Sequence, residues 1–253
     1  MHSFLVQYSD LPCKYLEIWR YFWYNLNVSE LHYLLKVDFV MNMQYIHPAD
    51  QLVMFMQRIY DKGLTTTSGG NLSIMDSDGN IWITPFGLDR DYLTEEDLVR
   101  IKRGMKEQRK IPSRAVKLHE EIYGKNPEIR AILLAHPVYA MAFAVTDAEF
   151  YLRTIPESYI LLRDVKKIAY RQIFEECAKT AQEFGSATPA LMVENDCVIV
   201  TGSTLLQAFG RLEVMEVTAH SIIDSLDLGK IVHITDSEVD DLKKAFYLEG
   251  NYW

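Results

Sequence analysis

The stretch SGGNLSIMDSDGNIWITPFG, residues 68–87, decides the fold class of this 253-residue chain. Two apolar runs, NLSIM and IWI, flank the sequence DSDGN. An Asp-Gly pair between two such runs is typical of a tight hairpin turn, because glycine accepts the positive φ that the turn requires. The stretch therefore predicts two antiparallel strands that follow one glycine-rich loop and lead into a second, TPFG.

Amphipathic helices are predicted on both sides of this hairpin. Upstream, residues 46–63 carry apolar side chains at helical spacing between Pro48, suited to a first turn, and Gly63, suited to a C-terminal cap. Downstream, residues 113–126 predict a second helix that Gly124 would end. TEED, residues 94–97, resembles a capping box that opens a short helix before an exposed basic stretch.

The rest of the chain mixes strands and helices irregularly. Residues 129–137 predict a buried strand followed by a short helix, and residues 190–202 predict two strands around a tight Glu-Asn-Asp corner. Residues 203–226 predict the longest helix, with a serine N-cap. This order lacks strict βαβ alternation, so we predict an α/β fold with a mainly antiparallel sheet covered by helices.

Composition excludes several classes of function. A net charge of −9 opposes a nucleic-acid or anionic-membrane partner that relies on general electrostatic attraction. No stretch approaches the ~20 apolar residues of a membrane span, and the N-terminus lacks the order of a signal peptide. Cys13, Cys177 and Cys197 are widely spaced and form no CxxC pair. We therefore expect a soluble cytoplasmic protein.

The chain is predicted to contain one main domain with two appendages. Residues 1–43 are crowded with aromatic side chains and form either a docked helix or a segment upstream of the true start. Residues 44–226 form the main domain, and residues 227–253 form a C-terminal tail that adds one helix.

Several residues are candidates for a binding site on their chemistry alone. The glycines of SGGN, residues 68–71, would let backbone N–H groups converge on an anion, although a plain turn has the same sequence. Ser113 and Arg114 lie at a predicted helix N-terminus, where an anion or an ordinary N-cap fits. His136 ends a strand and is either a ligand or a structural histidine.

In order along the chain, five motifs together resemble the class II aldolase/adducin family over about residues 48–226. They are SGGNLSIMDSDGNIWITPFGLDRDYLTEEDL, PSRAVKLHEEIY, IRAILLAHPVYAMAF, IPES and ENDCVIVTGSTLLQAF. The resemblance implies a three-layer α/β/α fold with a central, mainly antiparallel sheet. It also implies assembly as a homo-oligomer, a tetramer with sites between subunits.

Active members of that family hold a divalent metal, usually zinc, through His-x-His and Asn-His-Gly motifs, and they use a glutamate in Pro-Ser-Ser-Glu. Set against that pattern, Leu134 replaces the first histidine, His136 keeps the second and Asp196 replaces the third. Ala115 stands at the glutamate position. His136 and Asp196 are thus the metal-ligand candidates that remain at the motif positions, with Glu194 or Cys197 as an alternative third ligand that the family pattern does not support.

The family's phosphate-binding positions match this sequence better than its metal-binding positions do. The resemblance assigns phosphate or substrate binding to Ser68, Gly69, Gly70, Asn71, Gly87, Ser113 and Arg114. Phe86 stands where the family usually has a small hydroxyl residue, and Arg114 replaces the second serine of Pro-Ser-Ser. Phosphate recognition is therefore predicted to be remodelled.

These observations predict a divergent family member that lacks zinc-dependent aldol cleavage and to which the sequence assigns no cofactor. It would bind a small anionic or sugar-phosphate ligand or act as a scaffold. The alternative is a sugar-phosphate aldehyde-lyase that uses Zn²⁺ or another divalent metal at His136 and Asp196, with Tyr159 as a catalytic group. A third interpretation is a structural subunit that pairs with an active paralogue.

Overall fold

The computed structural model describes residues 46–102, 104–246 and 248, so the predicted extension at residues 1–43 lies outside the described part of the chain. The helices are α1 (Pro48–Asp61), α2 (Val116–Lys125), α3 (Val138–Ala144), α4 (Pro156–Leu162), α5 (Gln172–Glu175), α6 (Cys177–Thr180), α7 (Leu205–Ser225) and α8 (Asp236–Ala245). The strands are β1 (Asn71–Met75), β2 (Ile81–Ile83), β3 (Val99–Lys102), β4 (Met105–Lys106), β5 (Ala131–Ala135), β6 (Val165–Ile168), β7 (Ala190–Val193) and β8 (Cys197–Gly202).

One eight-stranded sheet organises these elements in the order β4-β3-β2-β1-β5-β8-β7-β6. Every neighbouring pair is antiparallel except β6 and β7, which are parallel. The predicted hairpin is confirmed, since Ser73 pairs with Ile83 and Met75 with Ile81 across a turn in which Gly79 has a φ of 78°. The mainly antiparallel sheet of the predicted α/β fold is therefore present.

Helices cover both faces of this sheet and bury its apolar side chains. Contacts of α1, α3 and α4 with α7, and of α7 with β5 and β8, form the layer on one face. On the other face, α2 and α6 join a hydrophobic cluster with alternate residues of the strands, such as Ile132, Leu134 and Ile199. Because side chains alternate along β5, Leu133 is buried on the α7 side while Leu134 is buried on the α2 side.

The sheet register brings four chain segments to one end of the sheet. Asn71 at the start of β1 pairs with Leu134, and Ala135 at the end of β5 pairs with Val198 near the start of β8. The backbone N–H of Thr84, just after β2, donates to the carbonyl of Leu72 over 3.0 Å. The glycine loop, the TPFG loop, His136 and the corner before β8 therefore share this end.

Two predicted helix caps are wrong. Thr204, rather than Ser203, is the N-cap of α7, and its hydroxyl accepts from the N–H of Gln207 over 3.1 Å. Helix α2 continues through Gly124 and ends at Asn126, whose side-chain amide donates to the carbonyls of Ile122 (3.1 Å) and Ala181 (2.9 Å). In both cases a neighbouring side chain satisfies the helix-end groups better than the predicted residue does.

The basic stretch after TEED is also more ordered than predicted. The reciprocal Thr94–Asp97 contacts are present, with the Asp97 carboxylate accepting from the Thr94 N–H over 2.9 Å. The residues that follow pair with β2 as strand β3, and β4 lies at the sheet edge. The tail does add a helix, α8, and Val239 of that helix is buried. Within the described residues, no helix is long and apolar enough to cross a membrane.

Candidate anion cradle and the residues around His136

The glycine loop lies directly against His136. A Cβ atom added at Gly69 would stand 2.7 Å from Thr66 Oγ1 and 2.9 Å from His136 Nδ1, so only glycine fits there without a shift. Gly70 has a φ of 68°, and a Cβ there would approach the carbonyl oxygen of Leu134 to 3.0 Å. The sequence SGGN is therefore more than a turn signal, because close packing requires both glycines. Ser68 is exposed at the outer end of this loop.

Arg90 fixes this loop to the TPFG loop. Its Nε donates to the carbonyl of Gly69 over 2.9 Å, and its Nη1 donates to the carbonyl of Pro85 over 3.0 Å. Burial lowers the pKa of Arg90, while the nearby Asp89 carboxylate acts in the opposite direction. This guanidinium is only 4% exposed, so it holds the two loops together and is not a free anion-binding group.

A third loop, residues 111–114, pairs with the TPFG loop through the backbone. The N–H of Phe86 donates to the carbonyl of Ile111 over 2.9 Å, and the N–H of Ser113 donates to the carbonyl of Thr84 over 3.1 Å. Ser113 is buried, and its hydroxyl accepts from the N–H of Ala115 just before α2 begins. Residues 68–71, 84–87 and 111–114 thus form one structure, which we call the cradle.

The cradle contains hydrogen-bonding groups that the protein does not satisfy. Asn71 is 6% exposed, and its Oδ1 is buried without a hydrogen-bond partner among the described residues. The Arg114 Cζ lies 5.5 Å from the centre of the Phe86 ring, which is 50% exposed. Gly87, with a φ of 77°, turns the chain directly after Phe86. The N-terminal end of α2 and the Arg114 guanidinium therefore lie beside the TPFG loop, and both groups are suited to an anion.

His136 closes the cradle on the β5 side. Its backbone N–H donates to the carbonyl of Leu64 over 2.9 Å, and its Nδ1 lies 3.5 Å from Thr65 Oγ1. Burial lowers the pKa of His136, and the negative charge of Asp196 partly offsets that effect. The imidazole is consequently neutral near pH 7.

Asp196 comes to His136 from the corner between β7 and β8. Asn195 has a φ of 56°, and its N–H donates to the carbonyl of Ala144 over 3.2 Å, which fixes the corner to the end of α3. Next to it, burial and then the Asp196 charge raise the pKa of the Cys197 thiol well above its ordinary value. Asp196 is therefore near enough to His136 for its charge to act on the imidazole.

Known proteins resemble this chain in sequence and in fold. The family profile of the class II aldolase and adducin N-terminal domain matches residues 50–223 of the chain. The chain belongs to the class II aldolase and adducin family. An L-fuculose phosphate aldolase from Methanococcus vannielii is 29% identical over 74% of this chain and 96% of its own length. A 3-oxo-tetronate 4-phosphate decarboxylase from Haemophilus influenzae is 31% identical over 76% of this chain and 94% of its own length.

A solved structure agrees with the sequence comparisons. YgbL from Escherichia coli superposes with a TM-score of 0.70 and 25% identity, covering 77% of this chain and 97% of its own. The resemblance predicted from the motifs is therefore confirmed for the family and for the fold, a mixed sheet flanked by helices.

The donor set of this class II aldolase-family chain does not fit a three-ligand zinc centre. Catalytic zinc takes about three protein ligands and keeps one open position. Leu134 and Ala115 are both buried in the hydrophobic cluster on the α2 side, and the Cys197 thiol is held protonated by its raised pKa. Among residues 46–102, 104–246 and 248, no group of three or more His, Cys, Asp and Glu side chains is placed to hold a metal ion.

Tyr159 lies in a different environment from His136. It borders a cavity of about 730 Å³ whose lining also includes Phe150, Arg163, Asp164 and Met192. No cradle residue and neither His136 nor Asp196 is part of that lining, within the described residues. Within the described residues, Tyr159 therefore borders a different pocket from the one beside His136 and Asp196, and its catalytic role stays a prediction.

Two residues that position the site were missed by the sequence reasoning. Arg90 was not singled out because LDRDYL has the pattern of an ordinary polar loop. Glu216 of α7 accepts from the backbone N–H groups of Tyr139 and Ala140, each over 2.9 Å, and so caps α3 directly after His136 and Pro137. The first four N–H groups of any helix need such partners, but nothing in the sequence indicates that one lies about 77 residues away.

Proposed function

We propose that this chain binds a small sugar-phosphate ligand in the cradle and does not carry out the family's metal-dependent aldol cleavage. The observation that carries the proposal is the contrast between two parts of the site. At the motif positions for a metal ligand and for an acid/base group, Leu134 and Ala115 are buried apolar residues. The loops that would hold a phosphate are, in contrast, packed together by Arg90 and by backbone hydrogen bonds.

The chemistry of the cradle supports an anionic ligand. Gly70 and Gly87 have positive φ and turn the chain sharply in two of the cradle loops, and the first turn of α2 adds the positive end of a helix dipole. Ser113 and Arg114 add a hydroxyl and a guanidinium. A phosphate monoester presents several acceptor oxygens to such donors.

The names of the relatives support a ligand that carries a phosphate group more strongly than they support one particular reaction. One relative is named an aldolase and the other a decarboxylase, and the phosphate group is common to both substrates in those names. In our proposal this shared group binds in the cradle, and the neutral imidazole of His136 hydrogen-bonds a ligand hydroxyl next to it. Asp196 would orient that imidazole through its charge.

Ligand binding is tested by calorimetric titration with dihydroxyacetone phosphate and, separately, with dihydroxyacetone. We expect binding of the phosphorylated compound only. Ser113→Asp places a negative charge in the cradle and should abolish binding, whereas Ser77→Asp in the exposed hairpin turn should not. Equal affinity for both compounds, or no binding of either, contradicts the proposal.

Metal content tests the second half of the proposal. After incubation with zinc or manganese and gel filtration, we expect less than one metal ion per chain, and no difference between the wild-type protein and His136→Ala. Stoichiometric metal that His136→Ala removes, together with aldol cleavage of ketose phosphates above the His136→Ala level, would overturn it.

The second candidate function is a metal-dependent sugar-phosphate lyase with a rearranged site. It is favoured by the proximity of Asp196 to His136, which is close enough to affect the pKa of the imidazole. This candidate requires at least one further ligand from outside the described residues, and in this proposal another copy of the chain supplies it. We therefore propose that native mass be measured with and without metal, since the resemblance implies assembly as a tetramer.

The buried thiols of Cys177 and Cys197 are free, which supports function in a reducing cytoplasm.

A further inference from the structure

The two cradle residues that depart from the family's phosphate-binding pattern contact each other. Phe86 and Arg114 lie on different loops, and the sequence alone presents them as two separate losses of a hydroxyl group. In the structure the Arg114 Cζ lies 5.5 Å from the centre of the Phe86 ring, within the range of a cation–π interaction. The backbone pairing of Phe86 with Ile111 and of Ser113 with Thr84 fixes the two loops at this spacing.

Arg114 has no carboxylate partner within the described part of the chain. Among the described residues, no Asp or Glu forms an ion pair with it, whereas Arg153, Lys62 and Lys110 each have one. Arg90, which holds two of the cradle loops together, is committed to two backbone carbonyls. The guanidinium of Arg114 is therefore the one charged donor of the cradle, within the described residues, that remains available to a ligand.

The ring of Phe86 restricts where that donor lies. A guanidinium stacked on a phenyl face keeps its N–H groups at its edge, where a bidentate acceptor such as a phosphate can meet them. Phe86 is 50% exposed, so the ring has room for the guanidinium on its outer face.

We propose that Phe86 and Arg114 act as one recognition unit, in which the ring holds the guanidinium at the mouth of the cradle so that it pairs with the phosphate dianion of a hydroxylated ligand. This inference rests on the proposed function and adds the specificity determinant of the site. Two neutral hydroxyl donors of the family pattern are replaced by one charged donor. Binding in this chain consequently depends on ligand charge, and it weakens as the salt concentration rises.

A double-mutant cycle on dihydroxyacetone phosphate binding tests the unit. Arg114→Gln replaces the charged guanidinium by a shorter, neutral amide that still has N–H donors, and it should weaken binding about tenfold or more. Phe86→Leu keeps an apolar side chain but removes the ring, and it should weaken binding about two- to fivefold. The double variant should bind no more weakly than Arg114→Gln alone, because the ring acts only through the guanidinium.

The chain offers a matched control in Arg100. Its Cζ also lies 5.5 Å from an aromatic ring, that of Trp82, but it belongs to β3 rather than to the cradle. Arg100→Gln should leave the dissociation constant and its salt dependence unchanged. Arg114→Lys, which keeps the charge but not the planar fork, should give an affinity between those of the wild-type protein and Arg114→Gln.

The possible outcomes separate this inference from the proposed function. If the wild-type protein binds no dihydroxyacetone phosphate, both are overturned. If the wild-type protein binds it and Arg114→Gln binds equally well, only the recognition unit is overturned. Additive losses in the cycle would show that Phe86 acts independently of Arg114. Thermal denaturation of each variant, with a midpoint close to that of the wild-type protein, confirms that the comparison is between folded proteins.

Discussion

At His136, burial and a neighbouring carboxylate act in opposite directions on the same imidazole. Burial lowers the pKa of His136 below its ordinary value of 6.5, and the charge of Asp196 raises it. Asp196→Asn removes the second effect and leaves the first, so the pKa of His136 should fall further. NMR titration of the histidine ring protons measures this change, and the resonance of His220 in the same spectrum is the internal control. A pKa that rises or stays constant would show that Asp196 does not act on His136.

Gly69 lies so close to His136 that a Cβ atom added there would stand 2.9 Å from the imidazole Nδ1. A methyl group there would stand 2.7 Å from Thr66 Oγ1, so Gly69→Ala should push the loop outward and lower the free energy of unfolding by about 1–3 kcal/mol. Urea denaturation measures the loss. Gly124→Ala is the matched control, because no atom lies within 4 Å of a Cβ at that helical position. Alanine there should stabilise the protein by about 0.5–1 kcal/mol. Equal effects at the two glycines would contradict the close packing of the loop.

Single residues also show where prediction from sequence succeeds and where it stops. Gly79 and Gly63 were predictable because a local turn or helix end requires their positive φ, and local requirements are visible in a short window. The contact between Phe86 and Arg114, and the double hydrogen bond of Arg90, depend on the packing of three separate loops. No spacing rule in one window encodes such contacts.

Helix α3 depends on a residue of another helix for its start. Pro137 is its N-cap and provides no side-chain hydrogen bond, while the Glu216 carboxylate accepts from the N–H groups of Tyr139 and Ala140. Glu216→Ala should therefore lower the free energy of unfolding by about 1–2 kcal/mol and increase amide hydrogen exchange at Tyr139. Glu216→Gln keeps an acceptor oxygen and should show a smaller loss.

The control for this cap lies on the same helix. Glu213 forms an ion pair with Lys62 at 3.1 Å on the protein surface. Exposed ion pairs of this kind contribute about 0–1 kcal/mol, so Glu213→Ala should change stability little. If Glu216→Ala and Glu213→Ala had the same small effect, capping of α3 by Glu216 would be refuted.

Elements were predicted best where periodicity and end signals agreed. Helices α1 and α7 and the β1–β2 hairpin have both, and they form where expected. Strands β3 and β6 were missed because VRIK and VKKI contain as many charged as apolar residues. Each forms because a neighbouring strand presents unpaired backbone groups, which is a property of the assembled sheet rather than of the segment.

At the scale of the whole molecule, stability should decrease as the pH is lowered below about 6.5. Burial lowers the pKa of His119 to about 3, and its Nδ1 lies 2.6 Å from Ser73 Oγ in a network that continues to Tyr123. The ordinary pKa of a histidine, 6.5, applies to His119 in the unfolded chain. Between pH 6.5 and about pH 3 the unfolded chain therefore binds a proton at His119 that the folded chain does not. The free energy of unfolding therefore falls with decreasing pH, by at most about 1.4 kcal/mol per pH unit from this group. His136, whose pKa is also lowered, adds a decrease of the same sign.

Urea denaturation midpoints measured from pH 7 to pH 4 test this dependence. His119→Asn should reduce the slope, although it also lowers stability at pH 7, because Asn does not titrate. His220→Asn is the control, since its imidazole is 48% exposed. An unchanged slope in His119→Asn would show that another group dominates the pH dependence.

The two edge strands of the sheet, β4 and β6, have features that disfavour pairing with a strand of another molecule. Strand β4 has only two residues and ends in Lys106, and β6 carries Lys166 and Lys167 in its middle. Lys166 pairs with Glu183 over 2.8 Å, and Lys167 donates to the carbonyls of Thr146 and Ala148. A flat, uncharged border would template aggregation, whereas short and lysine-bearing borders resist it. Copies of this chain should therefore associate through helices and loops, which are the parts of the molecule that carry the cradle.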